Sequence, residues 1–217
     1  MPDSKVAIVA GGSGLIGSAI LAELKDRGVE VFNLDYDGDI VPTSTTDGVP
    51  ISLIDFLFSN IGDLDFFVNA AYPSIRVEHA VIFIQYTKAV ATFMQAGGGG
   101  SIVNLSSIYG HTSADPTLYT NTFVNIADLG YGFTKAGIIQ MSKEAAVRYA
   151  PVRVNVVCPG GVESGQDLKF VERYGLRTPL GRMAQPRDIA GPVCDILAWE
   201  YCTGQVITLD GGFTLLK

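Results

Sequence analysis

Tyr131-Gly132-Phe133-Thr134-Lys135 sets a phenol and an ammonium four residues apart at the start of a segment that reads as a helix, hence on one face of it. A phenol with a pKa of about 10 is a poor proton donor or acceptor at neutral pH, and a neighbouring positive charge stabilises its phenolate. Lys135 supplies that charge, and its ammonium can also hold a ribose hydroxyl. Such a pair alone is common on helix surfaces, so its weight depends on its company. Upstream, Ala10-Gly11-Gly12-Ser13-Gly14-Leu15-Ile16-Gly17 follows a strand-like Val6-Ala7-Ile8-Val9 and opens a helix. Gly11, Gly14 and Gly17 form a GxxGxxG pattern. A pyrophosphate can approach only where no Cβ intervenes, and a helix start offers free N–H groups and a favourable dipole. Gly11, Ser13, Gly14, Leu15, Ile16 and Gly17 are therefore candidates for a phosphate cradle.

Asp35 closes the next strand, eighteen positions after Gly17. A carboxylate there accepts both hydroxyls of an adenosine ribose and repels a 2′-phosphate, and no Lys or Arg lies in the glycine loop. NAD is thus expected over NADP. The plainer alternative is that Asp35 only makes a turn with Asp37 and Asp39.

The elements that must position these residues alternate between strand and helix. Strands are expected at Val6 to Ala10, Val29 to Leu34, Asp65 to Ala70, Ser101 to Leu105, Val152 to Val157 and Gln205 to Leu209. Most are continuous apolar runs, as strands covered on both faces require. Helices are expected near 15–27, 48–61, 78–95, 131–149 and 186–199, the last opened by Pro186. This order predicts one α/β domain over residues 1–217, a Rossmann-type doubly wound parallel sheet of six to seven strands with helices on both faces. Asp35 to Asp47 leaves room for a stub of a third strand, Gly97 to Gly100 reads as a turn, and Tyr109 to Gly130 as a long irregular loop.

Composition narrows the partners. A net charge of -7 opposes binding to nucleic acid, and no apolar run approaches a membrane span. Cys158, Cys194 and Cys202 fit neither a disulfide framework nor a metal site. With no targeting segment at the N-terminus, the cytoplasm is the expected compartment.

In this order the motifs resemble the short-chain dehydrogenase/reductase family along nearly the whole chain. Asn69-Ala70-Ala71 resembles its NNAG segment, Ser101 to Ser107 its serine-bearing strand, and Tyr131 and Lys135 its YxxxK. Asn155-Val156-Val157-Cys158-Pro159-Gly160 resembles its NxxxPG, and Thr203-Gly204-Gln205 with Asp210-Gly211-Gly212 its TGQ…DGG. The resemblance implies that Ser107, with Ser106 as runner-up, bonds the substrate oxygen. It also implies that Tyr131 moves the proton and that Lys135 tunes the phenol and holds the ribose. Asn69, Ala70 and Ala71 would lie along the cofactor, with Asn69 bracing the sheet, while Pro159, Gly160 and Val162 would border the nicotinamide. The family's carboxamide-binding threonine falls on Ser164, and its fourth catalytic residue, an Asn, falls on His79. Ala10 replaces a leading Thr, and the helix usual between Tyr72 and His79 is almost gone.

Ala70-Ala71-Tyr72-Pro73, Ser106 to Gly110, the long loop and Pro159-Gly160-Gly161 look like a bacterial subgroup of flagellar and surface-glycan nonulosonic acid pathways, implying a polar, sugar-like small-molecule substrate. The leading expectation is reversible hydride transfer between NAD(H) and a secondary alcohol or its ketone. A rival is a catalytically impaired dinucleotide-binding regulatory or scaffold relative. Epimerase or dehydratase chemistry on a nucleotide sugar shares the GxxGxxG spacing but lacks a C-terminal substrate domain here. The 131–149 helix carries Ala136, Ile138, Ile139, Met141, Ala145 and Ala146 around more than one face, which predicts a homodimer or homotetramer. Residues 161–182, rich in Gly and carrying Lys169, Arg173, Arg177 and Arg182, are expected to form a loosely packed basic lid.

Overall fold

The computed structural model describes residues 5–42, 51–71, 78–119 and 129–216; the side chains of residues 78, 79 and 129 lie outside that description. Six parallel strands, β1 (Val6–Ala10), β2 (Glu30–Leu34), β3 (Phe66–Asn69), β4 (Ser101–Leu105), β5 (Arg153–Pro159) and β6 (Val206–Leu209), form one sheet in the order β2-β1-β3-β4-β5-β6. The order reverses between β1 and β3, and a parallel sheet opens a crevice at such a point, beyond the carboxyl ends of its strands.

Period-two alternation divides the core. Ile8, Phe67, Ile102 and Val154 face α2 (Ile51–Asn60), α3 (Glu78–Ala96) and α4 (Leu129–Arg148). Ala7, Val9, Val68, Val103 and Val157 face α1 (Leu15–Asp26) and α6 (Pro186–Ala198). Every residue of β3 and β4 is buried, which is why Phe66-Phe67-Val68 and Ile102-Val103 show no alternation of apolar and polar residues. Pro186 at the first turn of α6 and Asp188 three residues after the cap residue Gln185 close a capping box, with Gln185 N–H donating to Asp188 at 2.7 Å. Below that cap α6 buries Ile189, Val193, Ile196 and Leu197, each such side chain contributing about 1.5–3 kcal/mol.

Inside the apolar layer runs one polar chain. Thr87 of α3 donates to Asn104 Oδ1 at 3.1 Å, Asn104 Nδ2 donates to Ser142 of α4 at 2.9 Å, and Ser142 donates to the Ile138 carbonyl at 2.7 Å. Satisfied on both sides, Asn104 fixes α3 and α4 against the middle of the sheet.

Two expectations change. The third-strand stub is, among the described residues, a single bridge from Leu34 to Ile40; residues 43–50 lie outside the description. Residues 161–182 are not loosely packed: they contain α5 (Leu168–Gly175), whose Phe170 and Tyr174 are buried. Asp167 caps α5 by accepting the N–H groups of Lys169 and Phe170. Among the described residues no helix is long and apolar enough to cross a membrane.

Candidate active site

The glycine loop is set by backbone closeness. Gly11 leaves β1 at φ +78°, and a Cβ on it would stand 2.6 Å from the Ala71 Cα. A Cβ on Gly17 would stand 2.0 Å from the Gly11 carbonyl oxygen, so the first turn of α1 can only lie this close to the loop if residue 17 is glycine. Gly14 donates its N–H to that same carbonyl at 3.1 Å and caps α1 without a side-chain acceptor. The start of α1 therefore offers amides and a positive dipole end to an anion. At the rim, the half-buried Asp35 accepts the Ser13 N–H at 3.1 Å and the Tyr36 N–H at 2.8 Å, which holds its carboxylate beside the loop.

Ser106 and Ser107 follow β4. Ser106 Oγ donates to the Lys135 carbonyl at 2.7 Å, committing that hydroxyl to docking α4. Ser107 Oγ accepts the Tyr109 N–H at 3.2 Å as the cap of a 3-10 turn, Ile108–Gly110. Lys135 is 7% exposed; its Nζ donates to the Leu105 carbonyl at 3.4 Å and lies 5.9 Å from the centre of the Tyr131 ring. Burial, offset in part by the Cys158 thiol, pushes its pKa down to about 8, so the ammonium persists at neutral pH. Burial in turn pushes the Cys158 thiol up to about 11.

These groups meet in one cleft of about 400 Å³. Its walls are Gly14, Leu15, Ile16 and Gly17 of the loop; Ala70 and Ala71; Leu105, Ser106 and Ser107; Tyr131 and Lys135; and Pro159, Gly160 and Val162. Of the residues named from the sequence, Gly11, Ser13 and Asp35 flank this cleft through the loop contacts above. Asn69 ends β3 fully buried, and neither its amide oxygen nor its nitrogen has a partner among the described residues. It makes no sheet-bracing hydrogen bond there, contrary to the expectation. A ligand lying along Ala70 and Ala71 is one source of partners for it.

Ser164 departs from its expected place: it is exposed, outside the cleft, and its N–H goes to Gln166 Oε1 at 2.7 Å. The cause is a remote contact, since Glu163 donates its N–H to the Ala184 carbonyl at 2.8 Å and turns the chain outward. His79 lies in the first turn of α3, its side chain outside the described residues, as are residues 72–77. Two of the basic lid residues are engaged internally, Arg177 bonding Asp115 at 2.5 Å and Arg182 bonding Asp188.

The sequence reading missed the aromatic cap that packs against Tyr131 of the cleft. Tyr109 and Tyr119 share a phenol–phenol hydrogen bond of 2.6 Å, and Tyr119, Phe170, Tyr174 and Phe213 follow in ring contact, all in one cluster that also receives Tyr131. Its available signal was Asp167 before Leu168, Phe170, Val171 and Tyr174, an N-cap ahead of an amphipathic turn.

The loop, the orphaned Asn69 amide and the rim carboxylate fit a nicotinamide dinucleotide. The family model described as enoyl-(acyl carrier protein) reductase matches residues 51–214. Carbonyl reductase family member 4 of Xenopus laevis is 31% identical over an alignment covering 98% of this chain and 99% of the relative. A short-chain dehydrogenase from Leptospira borgpetersenii with bound NAD+ is 29% identical, with a TM-score of 0.81 and coverage of 98% of this chain and 93% of that one. The ligand-free aldohexose dehydrogenase of Thermoplasma acidophilum is 25% identical, with a TM-score of 0.77 and coverage of 98% and 94%.

Proposed function

The chain belongs to the short-chain dehydrogenase/reductase family, and on that premise we propose that this oxidoreductase interconverts a secondary alcohol and a ketone on a sugar-like substrate with NAD(H), using Ser107, Tyr131 and Lys135. The observation that carries the reading is the convergence of Ser107, Tyr131 and Lys135 with the glycine loop in a single cleft. A regulatory relative that binds a dinucleotide without turnover has no physical need for that convergence.

A nicotinamide dinucleotide bound there supplies or accepts the hydride. In the direction of reduction, Ser107 Oγ donates to the carbonyl oxygen and aligns it, and Tyr131 gives that oxygen its proton. The Lys135 ammonium stabilises the negative charge left on the phenol oxygen and holds the ribose. Asp35 takes the adenosine ribose hydroxyls, which favours NAD over NADP; the NAD+-bound Leptospira relative supports this choice. Ser164 is withdrawn from the carboxamide role, and Asn69 is kept along the cofactor.

The sugar-like substrate rests on the nonulosonic acid subgroup resemblance and gains support from the aldohexose dehydrogenase among the structural neighbours. Association as a homodimer or homotetramer in the cytoplasm completes the reading. Its support is that Phe133 and Val147 of α4 and Val81 and Ile84 of α3 are exposed apolar residues on neighbouring helices. The test is NADH oxidation against a panel of keto-sugars and simple ketones, with NADH and NADPH affinities measured in parallel. Turnover of a keto-sugar with tighter NADH binding is expected. Turnover of simple ketones alone rejects the sugar assignment, and tight cofactor binding without any turnover rejects the catalytic one.

A further inference from the structure

At the end of β5 the chain leaves the sheet through Pro159, Gly160 and Gly161, and Gly160 faces the same cleft as Ser107, Tyr131 and Lys135. Sheet pairing no longer serves the Gly161 N–H. It donates instead to the phenol oxygen of Tyr174, 2.5 Å away and thirteen residues on, while the Gly161 carbonyl accepts the Ala184 N–H at 2.9 Å. Contact with the ring is as close as the backbone permits. A Cβ on Gly161 would stand 2.6 Å from Tyr174 Cζ, and one on Gly160 would stand 3.1 Å from its oxygen and 2.9 Å from the Asp210 Cα.

Tyr174 is itself immobilised. It is 1% exposed and stacks on Phe213 at 4.5 Å and 12°, and its carbonyl accepts the Thr178 hydroxyl at 2.9 Å. Packing alone would be served by a phenylalanine; the oxygen adds the one partner that a buried amide leaving a strand requires.

We propose that Tyr174 is a positioning residue whose phenol oxygen and ring fix the Gly160–Gly161 backbone as the wall against which the nicotinamide end of the cofactor is aligned. The inference rests on the dinucleotide reading above. It ties α5 and the C-terminal turn (Phe213–Leu216) to the reacting end of the cleft, leaving the adenosine end to the glycine loop and Asp35. Hydride transfer depends steeply on sub-ångström alignment, so a wall that relaxes costs rate as well as affinity.

The experiment compares wild type with Tyr174→Phe, which keeps the ring and its stacking and deletes the acceptor. Hydrogen exchange of residues 160–162 is followed in the ligand-free protein, and calorimetry gives affinities for NADH and for ADP-ribose, which has no nicotinamide. The expected result is exchange at the Gly161 amide faster by about tenfold, NADH affinity lower by about tenfold, and ADP-ribose affinity unchanged. Unchanged exchange and NADH affinity overturn the proposal, and so does an equal loss for both ligands, which marks a residue that merely supports the fold. Should Tyr174→Phe fail to fold, Gly161→Ala, alone and combined with Tyr174→Leu, replaces it. The added methyl weakens NADH selectively, and the smaller partner restores part of the loss; no restoration overturns the proposal. Wild type that binds neither NADH nor ADP-ribose defeats the dinucleotide reading and the inference with it. Binding by wild type and an indifferent variant defeats the inference alone.

Discussion

Along the glycine loop the cleft is bounded by main chain against main chain, with Gly11 against Ala71 and Gly17 against the Gly11 carbonyl, and with Leu15 and Ile16 beside them. Across from it the cap is bounded by rings and paired charges: Tyr109 on Tyr119, Phe170 on Tyr174, Tyr174 on Phe213, and Arg177 on Asp115. A wall made of backbone has few sequence solutions, because only glycine permits it. A wall made of side chains has many, so it can vary with the substrate while the first stays with the cofactor. In the proposed function the loop side serves the cofactor's phosphates, while the ring side steadies its reacting end through Tyr174 and borders the substrate.

The largest test of that division is Tyr131→Phe, on the seam between the two. Turnover should fall about 10²- to 10⁴-fold, because a proton donor is lost, while calorimetric NADH affinity stays nearly intact. A parallel loss of cofactor binding would make Tyr131 part of the cofactor wall and blur the comparison. Lys135→Met comes next. It should likewise abolish most turnover, yet its melting temperature at pH 7 should match or exceed that of wild type, because the folded protein no longer holds a buried ammonium. The sign follows from the lowered pKa: between about 8 and the ordinary lysine value the unfolded chain binds the proton and the folded protein does not. Wild type therefore gains stability as pH rises through that window, and the advantage of Lys135→Met should shrink from pH 7 to pH 10 in thermal melts. An advantage that grows would refute the buried-ammonium account.

Asp35→Ser probes the cofactor wall by itself. The NADH-to-NADPH affinity ratio should fall by about ten- to a hundredfold, as the ribose loses a charged acceptor and a 2′-phosphate loses its repulsion, with little change in substrate preference. Arg177→Ala probes the cap and should have the smallest effect. Its partner Asp115 is held below the usual carboxylate range by the Thr117 hydroxyl and amide and by the guanidinium. Because the pair is solvent-facing, the melting temperature should drop by no more than about 3 °C, and any shift in KM should be for the substrate and not for NADH.

The same contrast explains what could be read from the sequence. β1, β3, β4 and the glycine loop were legible because burial on both faces and the absence of a Cβ each leave a mark in residue type at fixed spacing. That Ser107, Tyr131 and Lys135 share a cleft follows from the regular elements beside them: Ser107 comes two residues after β4, and Tyr131 and Lys135 stand four apart on α4. Ser164 was misplaced because Glu163 bonds to Ala184, twenty-one positions away, and nothing near Ser164 signals that contact. α5 was mistaken for loose chain because its glycines and basic residues are visible locally. The rings that bury it come from residues 109, 119 and 213, and the ion pairs of Arg177 and Arg182, just after it, come from Asp115 and Asp188.

The Thr87–Asn104–Ser142 chain carries a consequence for descent. No member of it can change alone without stranding a buried donor or acceptor, whereas an apolar replacement of all three together leaves nothing unsatisfied. Residues far apart in the chain are thereby bound into one heritable unit. Lineages related to this one should keep the trio whole or lose it whole, and a chimera that splits α3 from α4 should inherit the break even when each half is faultless.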